Sequence, residues 1–155
     1  MKKILIMCLL SLSLWAAESN VYKVVYNSPV DKVLANILAK FKTEQLVVVW
    51  QLDILDEFKA KGLDKKFGAD FNTAGLTAVK TLVACNGMLG NGIINSDSDM
   101  MAFCPIRITL TEKDGKTSVL YARPTSAPKD SKAYPMLVKL EKKVISAIEA
   151  SMEME

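Results

Sequence analysis

The chain has 155 residues, half of them hydrophobic and about a quarter charged, which is typical of one domain with a buried core. Twenty basic against 17 acidic residues give a net charge of +3, which leaves no surplus for the basic face that nucleic-acid binding requires. The sequence has no histidine, which excludes Ser-His-Asp and Cys-His catalysis and most zinc and haem-iron sites. We therefore expect no nucleic-acid partner.

The N-terminus has the layout of a secretory signal peptide. Two lysines precede an apolar stretch from Ile4 to Trp15, and two alanines follow it. The stretch is about a dozen residues long, whereas a membrane-spanning helix needs about 20. We predict that residues 1–17 are removed on export, that the mature protein is periplasmic and that it has no stable membrane span. An uncleaved N-terminal anchor is the alternative.

A single domain is predicted for residues 21–153, and it begins with a strand and a helix. Residues 21–27 are β-branched and aromatic, which predicts a strand. Ser28 precedes a proline and can act as the N-cap of the next helix, with Asp31 completing a capping box. Apolar residues follow at helical spacing, so this helix is amphipathic.

The middle of the chain alternates strands with short helices. Residues 46–52 form a near-continuous apolar run, which predicts a strand buried on both faces. The elements predicted after it are a short helix at 53–61, a loop at 63–76 packed by Phe67 and Phe71, a strand at 77–85 and a short irregular helix, loosened by glycines, within 86–101.

The C-terminal part predicts a hairpin and a long helix. Asp114-Gly115 suits a two-residue primed turn between strands at 102–112 and 117–122, and a helix at 132–152 follows a proline-containing loop. The fold class is therefore α+β: a largely antiparallel sheet of about five strands with the long C-terminal helix on one face, an N-terminal helix and short helices. A long helix on a curved sheet can enclose a ligand cavity.

Two cysteines, Cys85 and Cys104, remain after removal of the signal peptide. An even pair in an oxidising compartment predicts a disulfide. Two alternatives stay open: buried thiols that act as small hydrophobic residues, and functional thiol chemistry. Soft sulfur ligands select Cu(I), and the candidate ligands are Cys85, Met88, Met100, Met101 and Cys104. No other cofactor is indicated.

The residues around these cysteines resemble a known family. They are Cys85-Asn86, Leu89, Ile93-Ile94 and Cys104-Pro105, followed by a strand, an Asp-Gly hairpin and a strand. The pattern resembles the domain-of-unknown-function family 302, in which a strand ends in Cys-Asn-Pro and a Pro-Cys follows a short helix. The resemblance covers about residues 21–150, with Gly87 in place of the family's proline and the later Pro-Cys reversed. It implies a fold similar to the TATA-box-binding-protein-like class and no particular activity.

Two functions follow from these observations. The first is a non-catalytic, exported binding module that holds a small apolar or amphipathic ligand, or a periplasmic protein partner, between the sheet and the long helix. The alternative is a thiol-dependent redox, sulfur-carrying or Cu(I)-handling protein that uses Cys85 and Cys104. No catalytic residue is identified, and the sequence favours a protein without enzymatic activity.

Overall fold

A five-stranded antiparallel sheet is the frame of the computed structural model, which describes residues 19–154. The strands are β1 (Val21–Tyr26), β2 (Val47–Asp53), β3 (Ala78–Cys85), β4 (Ile106–Lys113) and β5 (Lys116–Ala122). The helices are α1 (Val30–Thr43), α2 (Ile54–Ala60), α3 (Leu63–Phe67), α4 (Gly87–Ser96) and α5 (Tyr134–Met152). The strand order is β1-β5-β4-β3-β2. The predicted α+β class is confirmed, with the long C-terminal helix packed against the sheet.

The core lies between the sheet and the helices α1 and α5. Alternate side chains of β4 and β5 are buried, as expected for strands with one face on a core. Four large apolar side chains of α5 are fully buried: Leu137, Leu140, Val144 and Ile148. These side chains pack against Tyr26 and Tyr121 of the sheet in one continuous cluster. The interface in which we expected a ligand cavity is therefore occupied by core side chains.

The prediction that β2 is buried on both faces is wrong. This strand lies at one edge of the sheet, pairs only with β3, and has no buried residue along its length. The register shifts between Val48 and Trp50, and the Trp50 side chain is 57% exposed. An apolar run specifies a strand, but it does not specify how many strands will flank it.

The predicted capping role of Ser28 is also wrong. The side chain of Ser28 makes no capping hydrogen bond; instead, the Val30 backbone N–H donates to Glu112 Oε2 on β4 at 2.6 Å. Asp31, the expected partner in a capping box, accepts from Lys80 Nζ on β3 at 2.6 Å. Tertiary contacts with the sheet thus replace the local cap.

Two segments differ from the predictions by more than two residues. The segment expected to be a loop after Gly62 begins with α3 and continues into a 3-10 turn at Gly68–Asp70. The strand expected from residue 102 begins at Ile106, because Ser98–Phe103 form another 3-10 turn. Between residues 19 and 154, no helix has the length and apolarity to cross a membrane; the predicted signal peptide lies outside these residues.

Candidate functional site

The two ends of β3 each border a candidate site. Cys85 is the last residue of the strand, and Val79 lies near its start. Because an extended chain rises about 3.3 Å per residue, the two positions are about 20 Å apart. The two sites therefore share one strand without sharing side chains.

The first site is the thiol pair, Cys85 and Cys104. Cys104 follows the Ser98–Phe103 turn and precedes β4, which is the neighbour of β3 in the sheet. The two Sγ atoms lie 3.4 Å apart, and both residues are free thiols. Cys85 is half-buried, whereas the Cys104 side chain is only 1% exposed. The sulfurs are in contact but unbonded, so the disulfide stays a prediction.

Helix α4 covers the thiol pair because of two residues at its start. Asn86 is the N-cap: its Oδ1 accepts from Leu89 N at 3.0 Å, and its Nδ2 donates to Gln45 O at 3.2 Å. A Cβ at Gly90 would lie 3.3 Å from the sulfur of Cys85 and 3.7 Å from that of Cys104. We expected the glycines to loosen this helix, but Gly90 has a different role. Its missing side chain lets the helix backbone approach both sulfurs.

The surroundings keep the Cys104 thiol neutral. Burial raises the pKa of Cys104 from 9.0 to about 12, and the hydrogen bond with Cys85 acts in the same direction. The nearby Tyr121 hydroxyl is buried and has no hydrogen-bond partner among the described residues, and burial raises its pKa above the ordinary range. Because Cys85 is the more exposed of the two, a reagent from solvent reaches it before Cys104.

Met88, one of the three methionines predicted to bind Cu(I), faces away from the sulfurs, and the Cu(I) site stays a prediction. Met88 is 81% exposed, and it lies two residues from Gly90, about 200° around the helix and away from the thiol pair. Met100 and Met101 are half-buried and pack against the hydrophobic core. Among the described residues, no group of three or more Cys, Asp or Glu side chains could hold a metal ion.

The second site is a cavity of about 390 Å³ between α2, α3 and the start of β3. We call it the phenylalanine cavity, and its principal lining residues are Phe58, Phe67, Phe71, Leu55, Leu63 and Val79. Asp70 and Asn72 supply polar groups at its rim. Sequence reasoning assigned Phe67 and Phe71 to loop packing and missed their shared cavity, for which the only signal was three phenylalanines within residues 58–71.

Local contacts hold the walls of the phenylalanine cavity. Asp53 caps α2 by accepting from Asp56 N at 3.2 Å, and Leu55 anchors that helix by burial. Gly62, at φ 70°, allows the sharp turn into α3 that an L side chain would strain. Asn72 Oδ1 accepts from Leu76 N at 3.1 Å, and Asn72 Nδ2 donates to Leu76 O at 2.7 Å. These contacts therefore hold in place the segments that carry the three phenylalanines.

A larger depression beside the end of α4 is polar. Its volume is about 710 Å³, and its walls include Asp97, Asp99 and Asp130. Asp97 Oδ2 accepts from Ser131 Oγ at 2.6 Å, so one of these carboxylates already has a partner within the chain. We interpret this depression as a solvated surface.

Comparison with known proteins identifies the family. The profile described as "Domain of unknown function DUF302" matches residues 4–151. The crystal structure of an uncharacterised conserved DUF302 protein from Bacillus stearothermophilus has a TM-score of 0.71 and 19% identity to this chain. The match covers 83% of this chain and 95% of that one, and at this identity it supports the fold alone. None of the curated proteins matches the sequence. The chain belongs to the DUF302 family of domains of unknown function.

Proposed function

We propose that the protein is an exported, non-catalytic binding module that holds a small apolar or amphipathic ligand in the phenylalanine cavity. The observation that carries this proposal is a cavity of about 390 Å³ with three phenylalanines in its walls. Small-molecule sites have volumes of about 300–1,000 Å³ and are mostly apolar with a few polar groups. The proposed ligand site is thus beside α2 and α3, not under α5.

The exposed aromatic walls favour an apolar ligand. Phe58 and Phe67 both leave about half of their side chains open to solvent, and Phe67 is 51% exposed. Covering apolar surface contributes about 25 cal/mol per Å², so a ligand with an apolar body gains free energy from both rings. A periplasmic protein that inserts an apolar side chain is the alternative occupant.

The polar rim favours a particular head group. Both polar atoms of the Asn72 side chain are engaged by Leu76, whereas Asp70 brings a carboxylate to the cavity. A carboxylate accepts hydrogen bonds and attracts positive charge. The ligand class that suits this rim is an amphiphile with a cationic or hydrogen-bond-donating end.

A dye titration tests the proposed site. We expect saturable binding of N-phenyl-1-naphthylamine to the purified chain, and we expect Phe58→Ala and Phe67→Ala each to weaken it about tenfold, because each removes an aromatic wall. Trp50→Ala is the matched control, since Trp50 is an exposed aromatic side chain on β2 outside the cavity. Equal binding by all three variants would contradict the proposed site.

Competition with charged amphiphiles tests the head group. We expect dodecyltrimethylammonium to displace the dye at lower concentration than dodecyl sulfate does, because Asp70 attracts the cation. Asp70→Asn should remove the difference while retaining dye binding. Preferential displacement by dodecyl sulfate would reject a cationic ligand.

Export forms the second part of the proposal. It rests on the signal-peptide pattern of residues 1–17, and the mass of the protein from a periplasmic fraction tests it. We expect loss of those residues; an intact N-terminus on cytoplasmic protein would contradict export. Membership of the TATA-box-binding-protein-like fold class stays a prediction.

A second candidate function is thiol chemistry at Cys85 and Cys104. The observation that supports it is the 3.4 Å contact between the two sulfurs, which places the two thiols within reach of each other. Redox chemistry needs only these two residues. Binding of Cu(I) by the whole predicted ligand set would require Met88 to move toward the pair, because its exposed side chain faces away from it.

A further inference from the structure

We propose that the thiol pair is a thiol–disulfide exchange site in which Cys85 attacks an external disulfide and Cys104 resolves the adduct. This proposal gives the second candidate function a mechanism, and it is independent of the phenylalanine cavity. Its partner class is a low-molecular-weight or protein disulfide.

The geometry needs only small movements for the two sulfurs to bond. They lie 3.4 Å apart, and a disulfide bond is about 2.0 Å long. The backbone on either side is fixed: Cys85 pairs with Val47 in the sheet, and Cys104 N donates to Met101 O at 3.1 Å. Side-chain rotation can therefore supply most of the approach without unfolding either element.

The unequal exposure of the two cysteines assigns their roles. Cys85 is half-buried and reachable from solvent, whereas Cys104 is almost fully buried. An external disulfide must contact the attacking sulfur, but a resolving sulfur needs access only to its neighbour. The raised pKa of Cys104 also favours Cys85 as the attacking residue, because the thiolate is the nucleophile and the Cys104 thiol stays protonated.

The exchange balances as two displacements. Cys85 gives its proton to solvent, and its thiolate attacks one sulfur of RSSR; the Cys85–SR bond forms, and RS⁻ leaves and takes up a proton. Cys104 then gives its proton to solvent and its thiolate attacks the Cys85 sulfur, which forms the Cys85–Cys104 bond and releases the second RS⁻, and this RS⁻ also takes up a proton. The protein dithiol is oxidised by two electrons, and RSSR is reduced to two RSH.

The environment positions the pair and leaves one of its sulfurs accessible. The backbone of α4 at Gly90 packs against both sulfurs, and Asn86 ties the segment after Cys85 to Gln45 and Leu89. These contacts hold the pair in place in its dithiol form. Because Cys85 stays partly open to solvent, a reductant can reach the oxidised pair as well.

Trapping the mixed disulfide tests the assigned roles. The purified full chain carries Cys8→Ser in every variant, so that Cys85 and Cys104 are the remaining thiols. Each variant is incubated with oxidised glutathione, and intact mass is followed with time. We expect Cys104→Ser to accumulate a glutathione adduct on Cys85 about tenfold faster than Cys85→Ser accumulates one on Cys104. With both thiols present, we expect an internal disulfide that dithiothreitol reopens without denaturant.

Three results would overturn the proposal. These are equal adduct rates in the two single variants, absence of an internal disulfide, and a disulfide that dithiothreitol reopens only in denaturant, which would indicate a structural cross-link. Circular dichroism checks the fold of each variant, and Cys104→Ala replaces Cys104→Ser if the buried hydroxyl prevents folding. Dye binding at the phenylalanine cavity is measured on the same samples, so failure of one site is distinguishable from failure of the other.

Discussion

The two ends of β3 differ in how tightly their surroundings are packed. At the C-terminal end, Asn86, Ile93 and Cys104 are all buried. At the N-terminal end, Leu55 is the one buried side chain of α2 and α3 within residues 54–67. Close packing can hold two reacting atoms in contact, whereas a loosely covered apolar wall can adapt to a ligand. One strand thus supports two sites that suit different chemistry.

The largest expected effect is the difference in stability between truncating an apolar side chain at the closely packed end of β3 and truncating one at the loosely packed end. Ile93→Ala should lower the free energy of unfolding by about 2–5 kcal/mol, because it leaves a cavity in a closely packed region. Phe67→Ala should lower it by less than about 1 kcal/mol, because that ring is half exposed. Urea unfolding of both variants measures the difference. Similar losses would show that the two ends are packed alike.

Oxidation of the thiol pair should stabilise the fold by about 3 kcal/mol in the chain-entropy description, less any strain in the native state. The two cysteines are 19 residues apart, so the cross-link closes a loop of moderate length. Urea unfolding of the Cys8→Ser chain with and without dithiothreitol measures the effect. The variant that also carries Cys85→Ser and Cys104→Ser should not respond to dithiothreitol, and a response there would assign the effect to the reagent.

Stability under reducing conditions should decrease as pH rises above 9. The folded-state pKa of Cys104, about 12, exceeds the ordinary value of 9.0, so the fold favours the protonated thiol. The protonated thiol makes its full contribution to the free energy of unfolding well below pH 9 and loses it as the pH rises toward 12. We expect the free energy of unfolding to decrease by about 1 kcal/mol between pH 8 and 10 from this group. Lys80 and Tyr22 also have raised pKa values and lose protons at high pH, so the quantity to measure is the difference between wild type and Cys104→Ala. Parallel pH profiles would contradict a buried, neutral Cys104.

The smallest expected effect is the difference in stability between alanine variants of two glycines in α4. Alanine stabilises a helix interior by about 1 kcal/mol relative to glycine. Gly87→Ala should retain some of this gain, because no atom lies within 4 Å of its added Cβ. Gly90→Ala should lose it, since its Cβ would press on the sulfurs of the thiol pair. Thermal unfolding of the two variants measures the difference, and equal stability would mean that the sulfurs move aside at no cost.

Secondary-structure elements were easier to predict from the sequence than the contacts between them. The Asp114-Gly115 turn is confirmed, with φ values of 52° and 70°, because a primed turn depends on residues adjacent in the chain. The thiol pair was also predictable as a pair, since Cys85 and Cys104 flank strands that are adjacent in an antiparallel sheet. These predictions needed only local patterns and the positions of the predicted strands along the chain.

What sequence reasoning missed depends on distant contacts. The edge position of β2 is decided by strand order, which an apolar run does not encode. The phenylalanine cavity requires α2 and α3 to fold back toward Val79, and the spacing of Phe58 and Phe67 alone does not indicate that return. The role of Gly90 appears only once the helix lies against the sulfurs.

The hydrogen bond between Val30 and Glu112 links two parts of the chain that are made at different times. The two residues are 82 positions apart, and the carboxylate serves the first turn of α1, the earliest helix after β1. When the chain emerges with its N-terminus first, that turn must wait for β4 before its N–H group acquires this acceptor. Native α1 and the β4–β5 hairpin are therefore expected to form in one cooperative step, at the slower rates typical of contacts between distant residues.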